Sequence, residues 1–334
     1  LGNRVLVIAP SWVGDLVMSQ PLLALLKRQE PNIHIDVLAP AWCAPIVSRM
    51  PEVDQLITSP FKHGVLQLAK RKHFALTLQK QQYARAYILP NSWKSAWIPY
   101  CLNIPLRTGW LGEARFGLLN DWRCSNKRQY PRMVQRYAAL AFNKDHDLES
   151  MSIPHPKLQV QDKTVVATLT KYGLHCDGGK VLVLCPGASG GIGKCWPADY
   201  YAKVANQKIA EGYQVWLMGS KNDRDVIDTI LHATAFQPVD LSAKVSLCEK
   251  IDLLSLASVV VSNDSGLLHV AAALEKPVIG IYGPTSPNHA PPLCDNATIL
   301  SCFKPPVKKS NLVDQRIIRQ IMPERVLASI SEMT

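Results

Sequence analysis

The 334-residue chain has no run of about 18 apolar residues, and no basic segment near its start leads into a cleavable apolar one. The expectation is therefore a chain with neither a membrane-spanning helix nor a secretory leader, working in the cytoplasm. Its nine cysteines are odd in number and dispersed without a Cys-x-x-Cys, and its nine histidines include no His-x-x-x-His pair. Those absences argue against a disulfide framework and a zinc site, and the cysteines read as reduced, mostly buried thiols. Heptads, short-period repeats and low-complexity tracts are missing as well. Two phosphate-binding signatures come close and fail. Gly193-Lys194 has Ala188 where a P-loop needs its first glycine and Cys195 where it needs Ser or Thr, and Gly191-Ile-Gly193 is not followed by the third glycine of the dinucleotide fingerprint.

What is present is an alternation of strands and helices. Apolar runs near 33–39, 84–90, 180–185, 213–218, 258–262 and 277–282 read as buried strands, and helical periodicity appears near 65–82, 132–143, 198–210, 249–257 and 266–274. Such alternation predicts an α/β fold with parallel sheets. The opening Val5-Leu-Val-Ile-Ala-Pro10-Ser-Trp-Val-Gly14 is echoed by Val181-Leu-Val-Leu-Cys-Pro186-Gly-Ala-Ser-Gly190, which suggests two nucleotide-fold domains of ordinary size. The boundary is expected between about 150 and 178, with domains of 1–165 and 166–312. Pro21 and Pro323 fall inside helical runs and are expected to kink or interrupt them.

The candidate site residues cluster where strands end. In Val259-Val-Val-Ser-Asn-Asp264-Ser265-Gly266 an apolar strand gives way to acid, hydroxyl and glycine before a helix. Asp264 reads as that helix's cap, with the backbone N–H groups of Ser265 and Gly266 open to an anion. Asp15 follows the first strand and reads as either a helix cap or a catalytic base. Lys194, on a glycine-rich turn at another strand end, reads as a point charge for a diphosphate. Charge is uneven: residues 1–165 carry 21 Lys+Arg against 11 Asp+Glu, and residues 166–334 carry 16 against 15. Clusters at Lys70-Arg-Lys72 and at Arg107, Arg115, Arg123, Lys127, Arg128, Arg132 and Arg136 imply a field attractive to an anionic lipid, sugar or membrane face. No helix-turn-helix, zinc finger or RNP-like aromatic motif accompanies it, so nucleic acid ranks below these and is not expected as a partner.

Taken in order, Pro10-Ser-Trp-Val-Gly-Asp15, Leu89-Pro-Asn-Ser-Trp-Lys94, Arg107-Thr-Gly-Trp with Leu118-Leu-Asn-Asp121, Pro186-Gly-Ala with Lys194-x-Trp-Pro197, and Ser262-Asn-Asp-Ser-Gly-Leu-Leu-His269 with Tyr282-Gly-Pro-Thr-Ser-Pro287 resemble one family along nearly the whole chain. It is that of the ADP-heptose:lipopolysaccharide heptosyltransferases, and the first two motifs are closer to its type II than to its type I members. The resemblance implies a GT-B architecture, two Rossmann-like domains facing across a cleft, with a final helix in 313–334 crossing back to the N-terminal domain. It also implies an inverting transfer of L-glycero-D-manno-heptose from ADP-heptose to the inner-core heptose of a phosphorylated Kdo–lipid A acceptor, at the inner face of the cytoplasmic membrane. No cofactor is implied, and metal stimulation stays open. By position Asp15 is the base and Lys194 the charge on the leaving group. Asp264 would contact heptose hydroxyls, His269 would support the turn, Ser189 and Gly190 would lie by the phosphates, and Asp223 would reach the ribose. Lys94, Arg107 and Arg115 are the acceptor-binding candidates from motif position. Ser189-Gly-Gly-Ile-Gly193 departs from the family pattern, which usually has a bulkier residue and a proline there. The rival readings are a sister transferase with another acceptor, a nicotinamide-dependent oxidoreductase, and a noncatalytic anion-binding or nucleic-acid-binding protein.

Overall fold

A computed structural model describes residues 3–62, 64–124, 128–144, 152–176, 178–305 and 314–334. The chain divides into two units, Leu1–Pro156 and Lys157–Thr334. The first carries strands β1 (Arg4–Ile8), β2 (His34–Pro40), β3 (Gln55–Ser59), β4 (Arg85–Ile88), β5 (Leu106–Trp110) and β6 (Asp121–Arg123). Its helices are α1 (Val13–Gln29), α2 (Ala44–Val47), α3 (Leu68–Thr77), α4 (Trp93–Cys101) and α5 (Met133–Ala138). The second carries α6 (Asp162–Tyr172), β7 (Val181–Cys185), α7 (Ala198–Ala210), β8 (Gln214–Leu217), α8 (Arg224–Ala233), β9 (Val239–Asp240), α9 (Leu247–Leu254), β10 (Val259–Asn263), α10 (Gly266–Ala273), β11 (Val278–Tyr282), β12 (Ala297–Ser301) and α11 (Pro323–Met333).

Both sheets are six-stranded, with every described strand pair parallel and with matching orders, β3-β2-β1-β4-β5-β6 and β12-β11-β10-β7-β8-β9. Counted within each unit this is the doubly wound order 3-2-1-4-5-6, whose direction reverses between the first and fourth strands. The duplicated openings thus mark the central strand of each sheet. β1 and β7 read as unbroken apolar runs because helices cover both faces: Val5, Leu6, Val181, Leu182, Val183 and Leu184 are all buried. Burying each such side chain contributes about 1.5–3 kcal/mol.

Several expectations need correcting. α6 packs on α9, so residues 157–165 belong to the second unit and the boundary falls at 156/157. The last helix also belongs to the second unit: α11 packs on α7 and β11, and the Trp196 indole N–H donates to the Ile321 carbonyl at 2.7 Å. Val326 and Ile330 complete the core of that unit, which is why the helix stays there. The first residue of the 313–334 segment lies outside the described residues. Pro323 opens α11 at its first position, where the missing N–H has no intrahelical partner to lose. Pro21 lies inside α1 without ending it; α1 is buried from Leu16 to Leu23 and again at Leu25 and Leu26, and that packing outweighs one lost backbone bond.

Candidate functional site

In each sheet the strand ends on either side of the reversal leave a crevice that no crossover covers, the usual ligand position in this topology.

In the second unit those ends belong to β7 and β10. After β7 the chain turns through Gly190 and Gly191, at φ 103° and 118°, conformations that side-chain-bearing residues rarely adopt. A short 3-10 turn at Ile192–Lys194 follows. It aims Lys194 at the end of β10, where Nζ lies 2.9 Å from Asp264 Oδ2, both side chains being about 15% exposed. The Thr285 hydroxyl donates to the same oxygen at 2.9 Å. Asp264 therefore does not cap the following helix. Ser265 holds the N-cap position, α10 begins at Gly266, and the Ser265 side chain makes no capping bond to its first amides. Asp264 is drawn instead to the ammonium, an opposite charge being a stronger partner than an amide.

Asn263 fixes this spacing. Fully buried at the last position of β10, it donates to the Pro186 carbonyl at 2.6 Å and accepts from the Trp196 N–H at 3.0 Å and the Tyr201 hydroxyl at 3.1 Å. One side chain thus ties the β7 turn and the start of α7 to the strand that presents Asp264. Beneath them His269 is buried, and its imidazole is pushed down to about 4, chiefly by burial, with Lys194 adding to the effect and Asp264 opposing it. It is neutral at pH 7. At the end of β8, Asp223 accepts from the Ser220 N–H at 2.6 Å and the Ser220 hydroxyl at 2.7 Å. A Cβ at Gly187 would stand 2.4 Å from the Asp223 carboxylate, so the β7 turn can approach it only as glycine. Ser189 and Gly190 are exposed on this turn.

In the first unit the corresponding strand ends belong to β1 and β4. Asp15 occupies the third position of α1, behind an N-cap Trp12 that makes no side-chain capping bond. Its charge reaches the buried Tyr137 of α5, whose hydroxyl is raised above its ordinary range by burial first and by Asp15 second. Lys94 stands in the first turn of α4, after β4, partly buried and without an ion pair among the described residues. The Trp93 N–H at that helix start donates to Glu113 at 2.8 Å.

Two acceptor candidates move out of this group. Arg115 is completely buried and donates to the carbonyls of Pro90 at 2.8 Å, Leu111 at 3.3 Å, Ser92 at 3.4 Å and Trp110, so it fastens the loops after β4 and β5 from within. Burial pushes its guanidinium down to about 10, against the pull of Glu113. Arg107 stands near the start of β5, at the amino end of the sheet, while Asp15 follows a carboxyl end. It donates to Ile104 at 2.6 Å and Leu118 at 2.7 Å. Lys127 of the basic cluster lies outside the described residues.

Sequence reasoning missed Asn263, Thr285 and Glu113. The signals for the first were its place in the Ser262-Asn-Asp264 motif, where it was given no role, and a polar residue closing an otherwise apolar strand. Among the described residues no group of three or more His, Cys, Asp or Glu is placed to hold a metal ion, and no helix is long and apolar enough to cross a membrane.

The sequence pattern of glycosyltransferase family 9 (heptosyltransferase) matches residues 71–316. The chain is 40% identical over 342 residues to lipopolysaccharide heptosyltransferase 2 of Escherichia coli K12, covering 99% of this chain and 98% of that one. It is 43% identical over 344 residues to lipooligosaccharide heptosyltransferase 2 of Haemophilus influenzae Rd, covering 99% of each. The solved structure of the E. coli ADP-heptose LPS heptosyltransferase II matches with a TM-score of 0.89 at 39% identity, over 99% of this chain and 98% of that chain. A family 9 glycosyl transferase of Veillonella parvula, 17% identical with a TM-score of 0.86, shares the fold. The chain belongs to glycosyltransferase family 9, the heptosyltransferases.

Proposed function

We propose that the protein transfers L-glycero-D-manno-heptose from ADP-heptose to the inner-core heptose of an immature lipopolysaccharide, the type II reaction, by direct displacement with inversion at the anomeric carbon. The relatives at 40% and 43% identity carry the heptosyltransferase 2 name, and the one solved at 39% identity is an ADP-heptose enzyme. The observation that carries the reading is the second unit's strand-end cluster of Lys194, Asp264 and the uncapped start of α10. One cation and a set of free amides suit a diphosphate, and a carboxylate beside them suits sugar hydroxyls.

In this reading Lys194 and the α10 amides take up the negative charge that develops on the departing ADP, a contribution of about 3 kcal/mol per good donor. The ammonium has three N–H bonds, so it reaches a phosphate while keeping Asp264. Asp264, braced by Thr285, orients the heptose. Ser189 and Gly190 line the phosphates, Asp223 is suited to the ribose because it follows the second strand of its sheet, and neutral His269 supports the turn. Asp15 takes the proton of the acceptor hydroxyl, worth about 10²–10⁴ in rate. Lys94 faces the acceptor's negative groups. No resident cofactor is assigned. The acceptor is a phosphorylated Kdo–lipid A bearing one heptose, met at the inner face of the cytoplasmic membrane.

The test pairs calorimetry with ADP and a transfer assay on defined inner-core acceptors. Asp15→Asn is expected to remove nearly all turnover while ADP affinity stays within a few-fold, and Lys194→Ala to lower both together, because a charge on the diphosphate acts in the ground and transition states. Near-normal turnover in Asp15→Asn would reduce Asp15 to a first-turn residue of α1, and unchanged behaviour of Lys194→Ala would remove it from the donor site.

A further inference from the structure

Between Asp54 and Glu113 the chain runs for 58 residues with eight Lys and Arg and no acidic residue. This stretch supplies α3 and α4, which pack on each other along one flank of the first sheet. Lys62, Lys70, Lys72 and Lys80 are exposed, and none has an ion pair among the described residues. Interleaved with them are apolar side chains that water does not favour: Val65 at 40% exposure, Leu66 and Leu76 at 51%, and Tyr100 at 42%.

The apolar residues are held outward. Arg71 is buried over the Phe61 ring at 4.2 Å and donates to the carbonyls of Leu66 at 2.7 Å and Val65 at 3.2 Å. The loop before α3 is thus anchored by its backbone while its two aliphatic side chains face solvent. Leu76 lies one turn beyond Lys72 on the same face of α3. Beside Lys72 a cavity of about 340 Å³ opens, lined by Trp97, Tyr100, Cys101, Asn103 and Arg107. Its aromatic wall belongs to a stack in which Trp93, Trp97 and Tyr100 follow one another at 5.3 and 5.6 Å.

Lysines around exposed aliphatic side chains, with no acids between them, match an anionic bilayer surface: the cations meet headgroups while the aliphatic tips enter the acyl boundary. A nucleic acid would gain nothing from Val65, Leu66 and Leu76, and the stacked Trp97 offers no free ring face. We propose that the α3–α4 face docks the protein on an anionic phospholipid bilayer, with Val65, Leu66 and Leu76 inserted and the Lys72–Arg107 cavity receiving a lipid phosphate. This gives the membrane association in the functional reading a definite face, and its test needs neither donor nor acceptor.

The experiment is co-sedimentation of the full chain with phosphatidylcholine vesicles, with and without phosphatidylglycerol. Binding is expected only where phosphatidylglycerol is present, and is expected to weaken as salt rises. Reversing two surface charges, Lys70→Glu with Lys72→Glu, is expected to lower partitioning by about tenfold or more. Leu66→Ser with Leu76→Ser is expected to lower it several-fold with the thermal unfolding curve unchanged. Equal binding to both vesicles, no binding, insensitivity to either variant, or retention of the chain by a DNA oligonucleotide in place of the vesicles would each overturn the proposal. Transfer to a deacylated, water-soluble acceptor is expected to be unchanged in the Leu66→Ser, Leu76→Ser variant, so vesicle binding and the transferase reading stand or fall separately.

Discussion

Arg115 and Lys94 were both read as acceptor-binding cations, and the fold separates them by what surrounds their charges. Arg115 spends its donors on backbone carbonyls in a site with no exposure, so removing it leaves several buried acceptors unpaired. Arg115→Ala is expected to lower the unfolding free energy by about 3 kcal/mol, the scale of losing a charged donor from buried groups. Denaturant melts set beside donor and acceptor KM values check this. An unchanged midpoint with a raised acceptor KM would make Arg115 a binding residue after all. The contrast shows what sequence can carry at this scale. Asp264 was legible because it follows an apolar strand directly and Lys194 because it closes the glycine-rich turn after another, and in a parallel sheet a strand end is a known place. An arginine in a loop has no such coordinate: its burial depends on carbonyls that β4 and β5 bring together only after folding. Asn263 was hidden for the same reason, its three partners lying 62 to 77 residues away.

Helix starts show how local signals compete with packing at the level of elements. α9 begins one residue after Ser246, whose hydroxyl accepts from the Glu249 N–H at 3.3 Å while Glu249 accepts from the Ser246 N–H at 2.8 Å. The Ser-x-x-Glu spacing announces this capping box, yet apolar periodicity alone starts the helix near 249, because periodicity reports the buried face and not the cap. Pro323 misled in the opposite sense, breaking a run it in fact opens. Glu249 also accepts from Lys171 at 2.5 Å and from the Tyr172 hydroxyl at 3.1 Å, tying α6 to α9. Burial raises its carboxyl pKa, but the hydrogen bonds from Lys171 and Ser246 outweigh this and hold it at about 2, below its ordinary 4.5. A depressed carboxyl contributes stability above its unfolded pKa and loses it as pH falls through the folded one. The wild type is therefore expected to lose this contribution between about pH 4.5 and pH 2. Glu249→Gln is expected to melt earlier at pH 7, by an amount on the order of 1 kcal/mol, and to show a flatter pH dependence across that window. Parallel pH slopes for the two proteins would mean that the carboxylate does not couple to folding.

Charge is distributed by unit across the whole molecule. Residues 1–156 carry 19 Lys+Arg against 10 Asp+Glu, and residues 157–334 carry 18 against 16. Fixing Arg71, Arg107 and Arg115 to carbonyls does not cancel this excess, since a carbonyl is a dipole and leaves the net charge standing. The asymmetry was readable from composition; the face on which it is concentrated was not, because that depends on how α3 and α4 pack. If the first unit's field attracts a lipid acceptor bearing several phosphates and carboxylates, the attraction acts over many ångströms and is open to screening. Donor binding through Lys194, as proposed above, would be short-ranged and shielded, since that side chain is only 15% exposed. Raising ionic strength shrinks the Debye length from about 30 Å at 0.01 M to about 8 Å at 0.15 M, so the acceptor KM is expected to climb several-fold over that range while the donor KM changes less. Paired salt titrations on a water-soluble, deacylated acceptor measure this without a vesicle surface contributing. Lys94→Ala should raise the acceptor KM at low salt and leave a shallower salt slope, because Lys94 is the first cation in sequence after the carboxyl end of β4. Equal salt dependence for donor and acceptor would mean that the excess charge of the first unit plays no part in recognising the acceptor.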